Sequence, residues 1–97
     1  MMTLHTLNAS PASAAFADCL RLVAPGDALL LLGDGVYAAL AGTGPCRALD
    51  ASGAELYVLR EDAAAAGVLA HIGSAAVVDI DGFVALSERF ARQLAWY

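Results

Sequence analysis

The chain contains no lysine, and its only fixed cations are five arginines scattered from Arg21 to Arg92. Nucleic-acid binding rests on cations that displace condensed counterions. A chain of net charge −5 with no basic stripe therefore argues against direct contact with RNA or DNA. Cysteine is scarce as well. Cys19 and Cys46 form neither a CxxC pair nor a disulfide scaffold, a usage that fits a reducing cytoplasm. The two histidines, His5 and His71, have no cysteine or carboxylate at metal-ligand spacing, so neither a metal centre nor a cofactor is expected. Long apolar runs are missing too. None approaches the ~20 residues that span a bilayer, and the first eleven residues lack the basic and apolar regions of a signal peptide, so the expectation is a cytoplasmic protein without membrane contact. The GxGxxG fingerprint, the P-loop and the GxSxG elbow are all absent.

What the chain has is apolar side chains. They make up 60% of its 97 residues, above the ~45–50% usual for soluble domains. A domain of this size buries roughly two-thirds of its unfolded surface. The excess favours association with other subunits over a monomer with an alanine-rich core.

The most informative segment is Leu29–Leu40, LLLLGDGVYAAL. An unbroken apolar run has no polar face, so as a strand it must be covered on both sides. Gly33-Asp34-Gly35 then permits a sharp turn, and Asp34 is expected to cap a short helix reaching about Ala41. Around this unit the alternation continues. Met2–Leu7 predicts the first strand. Ser10-Pro11 predicts an N-cap and first helical residue for a helix to about Ala24, with Phe16, Cys19, Leu20 and Val23 on its apolar face. Ala28–Leu32 and Glu55–Leu59 follow as strands, with a helical turn over 45–51 between them. Glu61-Asp62 opens a short helix ended by Gly67, and Val77–Ile80 is a fourth strand. Asp81 caps a helix carrying Phe83, Leu86 and Phe90, and Gln93–Tyr97 adds a fifth strand or a docked tail. Four strand–helix repeats without a linker predict one α/β domain over residues 1–97. It is Rossmann-like or flavodoxin-like, with a mainly parallel four- to five-stranded sheet and helices on both faces.

Few side chains in this scheme carry chemistry. An acidic residue in the Gly33–Gly35 turn repels phosphate, so the turn reads as structural. Asp79 and Asp81 sit at a strand end, where capping is the simpler role. Cys19 has two readings: a small buried hydrophobe, inert because burial raises thiol pKa, or a partly exposed thiol that carries sulfur. Asp18 opposes thiolate formation beside it and Arg21 mildly favours it. Cys46, beside Arg47 in a Gly/Pro loop, is expected to be the more exposed of the two.

Several segments taken together resemble one family. They are Leu4-His5-Thr6-Leu7-Asn8 with Ser10-Pro11, the run from Leu30 to Ala39, Glu61-Asp62 leading to Gly67, Asp81-Gly82-Phe83-Val84, and Gln93-Leu94-Ala95-Trp96. In this order, over nearly the whole chain, they are similar to the TusB/DsrH family. The resemblance implies a small Rossmann-like subunit joined to TusC- and TusD-like subunits in a heterohexamer. That complex relays persulfide sulfur from a TusA-like to a TusE-like protein during 2-thiolation of the tRNA wobble uridine. A related DsrE–DsrF–DsrH complex serves sulfur oxidation. In both, the principal sulfur-carrying cysteine lies on another subunit, although DsrH-like members carry one in the first helix, where Cys19 stands here. Asp34, Gly35, Tyr37 and Trp96 become candidate partner contacts, and Cys19 a candidate auxiliary sulfur carrier. The competing expectations are a free-standing flavodoxin-like domain that binds a small ligand near Asp34 and Asp81, and a homo-oligomeric structural module.

Overall fold

The computed structural model describes residues 2–97. Five strands, β1 (Thr3–Leu7), β2 (Ala28–Leu31), β3 (Glu55–Leu59), β4 (Ala76–Val78) and β5 (Arg92–Trp96), form one sheet in the order β4-β3-β2-β1-β5. Every neighbouring pair is parallel. The expected α/β architecture holds, and the C-terminal segment is a strand rather than a docked tail. The helices are α1 (Ala14–Leu22), α2 (Gly44–Ala51), α3 (Arg60–Ala65) and α4 (Ile80–Arg89), and Gly33–Ala39 is a 3-10 helix. No helix among the described residues is long and apolar enough to cross a membrane.

The continuous apolar run behaves as its composition requires: Ala28, Leu29, Leu30 and Leu31 are all completely buried. Leu29 and Leu31 face a layer built from Phe16 and Cys19 of α1, Leu49 of α2, Ala63 of α3 and the 3-10 helix. Ala28 and Leu30 face the other way, with Leu4, against Leu86 of α4 and Phe90 at its C-cap. The two faces are therefore covered unequally, by three helices and the 3-10 segment on one side and by α4 alone on the other. On that thinner side, Arg89 holds Glu55 of β3 through a 2.7 Å contact, and the Tyr57 hydroxyl donates to the same carboxylate.

Three starts differ from the sequence expectation, each for a local reason. Helix α1 begins after Ser13, whose Oγ accepts the Phe16 amide, and not after Ser10. Ser10 instead begins a turn in which its carbonyl accepts the Ser13 amide at 2.9 Å, with Pro11 at the position whose fixed φ suits it. Helix α4 is capped by Asp79, which accepts from the Gly82 amide at 2.9 Å, so Asp81 lies within the first turn and β4 stops at Val78. The segment after Gly33 is not an α-helix capped by Asp34: it is 3-10, and its N-cap position is Leu32, with no side-chain cap. The carboxylate at this turn comes from far along the chain, because Asp62 Oδ2 accepts the Gly33 amide at 2.7 Å.

Cys46 is the more exposed of the two cysteines, but only slightly, at 7% against 0% for Cys19. Thr43 caps α2 and accepts the Cys46 amide, which puts Cys46 and Leu49 one turn apart on the inward face. Cys46 is therefore buried, with its thiol 3.8 Å from the Ala39 carbonyl.

Candidate functional site

The ends of β2 and β3 hand over to the 3-10 helix and to α3, and between them lies a shallow hollow of about 260 Å³ lined by Gly33, Asp34, Tyr37, Asp62, Ala65 and Ala66. Asp34 and Tyr37 stand on its rim, with Tyr37 40% exposed. Gly35, between them in sequence, is buried. A Cβ there would stand 2.2 Å from the Leu7 carbonyl oxygen, so this glycine lets the turn lie against the end of β1. The structure thus brings Asp34 and Tyr37 together as surface groups with Gly35 supporting them from below, while Trp96 is not among the lining residues.

The chemistry available in this hollow is limited. Its ionisable groups are Asp34, Asp62 and the Tyr37 phenol, with Asp62 already engaged by Gly33, and no cation lines it. Two carboxylates and an apolar alanine floor suit contact with a protein surface better than a phosphate ligand. In open α/β sheets ligands favour the crevice where strand order reverses, here between β1 and β5. That place is bridged by the Asn8 amide, which donates to the Trp96 carbonyl at 2.8 Å. Among the described residues, no group of three or more His, Cys, Asp or Glu side chains is arranged to hold a metal ion.

Cys19 lies one layer inward, 0% exposed in the core beneath the sheet. Burial pushes its thiol up to about 11. The thiolate is the form that attacks or carries sulfur, and with that value only about one molecule in 10⁴ holds it at neutral pH. Asp18 and Arg21, the flanking charges, pair with each other on the outer surface of α1.

A second constellation joins residues that sequence spacing left apart. Asp27, just before β2, is buried and accepts three hydrogen bonds: from the Thr3 amide, from the Ala24 amide and from His5 Nε2, each at 3.0 Å. Burial presses its pKa up, but the bond from His5 and the amides of Thr3 and Ala24 outweigh it and hold the carboxylate below the ordinary aspartate value. His5 in turn accepts from the Trp96 indole at 3.1 Å. The available signal is a histidine in a strand of leucines and threonines, together with an aspartate placed between Pro25-Gly26 and a fully buried run. Their separation by 22 positions conceals the pairing.

Comparison with known proteins points to one family. Residues 9–93 match the family model described as DsrH like protein. Protein TusB of Erwinia tasmaniensis and Protein TusB of Pectobacterium parmentieri are each 48% identical to this chain over 94 residues, covering 96% of this chain and 99% of the relative. Protein TusB of Escherichia fergusonii is 42% identical over the same span and coverage. On matches of this extent, the chain belongs to the TusB/DsrH family.

Proposed function

We propose that the chain is an accessory subunit of a TusBCD-like complex, which passes persulfide sulfur between proteins in the cytoplasm for 2-thiolation of the tRNA wobble uridine. The observation that carries this reading is the near full-length similarity to TusB proteins. Its partners are TusC- and TusD-like subunits in a heterohexamer, with TusA- and TusE-like proteins reached through that complex and no direct contact with tRNA. The burial of both cysteines supports a role in assembly rather than in carrying sulfur. The rim formed by Asp34 and Tyr37 is the surface we assign to partner contact.

Co-purification with TusC- and TusD-like subunits is the test, and a strictly monomeric chain that ignores both would sink the reading. Tyr37→Ala is expected to weaken assembly by about 10-fold or more, the scale of an aromatic contact residue, without lowering thermal stability. Unchanged assembly would move the contact surface elsewhere.

In the other branch of the family reading, a DsrH-like subunit of a sulfur-oxidation relay, Cys19 would itself take up sulfur. Its burial means that α1 must first open. The expected result with the native chain is that thiol reagents label Cys19 only after denaturation, and that Cys19→Ala costs about 1 kcal/mol as a small core truncation. Persulfide found on Cys19 by mass spectrometry after incubation with a loaded donor protein would reverse this assignment.

A further inference from the structure

β5 lies at the edge of the sheet, yet its tryptophan is tied into the interior. The Trp96 indole can only donate, so His5 Nδ1, 3.1 Å away, must accept. The ring proton therefore sits on Nε2 and is donated to Asp27 at 3.0 Å. Indole and imidazole lie near parallel, 23° apart with centroids separated by 6.2 Å. His5 is 1% exposed and depends on these two bonds for its polar atoms.

The charged and titratable groups around the ring are few. Asp27 faces it from just before β2, and Arg92 of β5 joins His5 in lining a hollow of about 230 Å³. Leu22 of α1 and Leu94 of β5 supply apolar walls to the same hollow. The Asp18–Arg21 pair of α1 is on the outer surface, and the Cys19 thiol belongs to the core layer on this face of the sheet. Among the described residues, every buried side-chain nitrogen and oxygen has a hydrogen-bond partner, so the chain of bonds is complete without a ligand.

We propose that Trp96, His5 and Asp27 form a proton-operated latch on β5. A proton taken from solvent onto His5 Nδ1 turns that atom into a donor, which displaces the indole N–H and frees the Trp96 side chain. Nε2–H stays on Asp27, and that already charge-assisted bond becomes an ion pair, which offsets the cost of a cation in the interior. The backbone of β5 remains paired with β1 from Thr3↔Arg92 to Leu7↔Trp96, so the change is local. Its outcome is a released indole on an open sheet edge, a side chain enriched at protein contact surfaces.

The chain has one tryptophan, so the ¹⁵N-labelled full chain gives a single indole N–H resonance. As the pH is lowered from about 8 over the range in which the protein stays folded, that resonance is expected to move in one single-proton step toward the position of a free indole, with far-ultraviolet circular dichroism unchanged. His5→Gln, which can accept from the indole without titrating, is expected to hold the resonance fixed. A resonance that stays in place in the unaltered chain overturns the latch. So does one that moves equally in His5→Gln, or one that moves only as circular dichroism is lost. Imidazole nitrogen shifts in the unaltered chain give a second reading that needs no variant. They should show the proton on Nε2 at the upper end of the range and protons on both nitrogens at the lower end, and the opposite tautomer would overturn the proposal.

Discussion

Replacing Asp27 with alanine is expected to lower the unfolding free energy by about 3–5 kcal/mol, read from urea unfolding at neutral pH. The carboxylate gathers donors from three places in the chain: the first residue of β1, the end of the α1 loop, and the His5 ring. Truncation leaves all three buried without an acceptor, and typical domains have only about 5–15 kcal/mol in total. The pH dependence follows from the direction of the shift. Because Asp27 is held below the ordinary aspartate value, its stabilisation is fully present above about pH 4 and is lost as pH falls through the lower value of the folded state. Asp27→Asn keeps the size of the side chain but removes this titration, so its stability should fall less steeply than that of the unaltered chain below about pH 4. Equal acid slopes would mean that Asp27 does not carry this charge.

The second large effect is expected at Gly35. Its alanine variant places a methyl group 2.2 Å from the Leu7 carbonyl oxygen, which already accepts the Leu32 amide at 3.1 Å. Neither partner is a flexible side chain, so the turn and the end of β1 must separate. The expected cost is about 3 kcal/mol or more, the upper end for overpacking. Asp34→Ala, one residue away and exposed, should change stability by no more than about 0.5 kcal/mol. A Gly35→Ala chain of unaltered stability that fails to assemble with its partners would make this residue a contact and not a support.

How much of this was legible in the sequence depends on the range over which each residue acts. The buried run of β2 and the left-handed glycine Gly67 are local signals, and both are found where the pattern predicts them. Capping residues were misplaced by two or three positions because Ser10 and Ser13, or Asp79 and Asp81, are equivalent by composition. Only the turn geometry decides between them. Asp34 was given a role that Asp62 performs, since nothing local says that a carboxylate 29 residues onward reaches the Gly33 amide. The Asp27–His5–Trp96 chain is concealed for the same reason, its indole lying 91 positions beyond its histidine. Membership of the family was readable because it rests on the order of many short segments and on no single contact.

The position of β1 between β2 and β5 has a kinetic consequence. β1 leaves a ribosome well before β5 and must wait for it before its second edge is covered, and closing so long a loop slows folding. Until then β1 presents a row of unpaired amides and carbonyls beside a leucine-rich neighbour, the kind of surface on which chains aggregate. A nascent chain stalled short of Arg92 is therefore expected to be marked by its stickiness, because β1 keeps one edge unpaired.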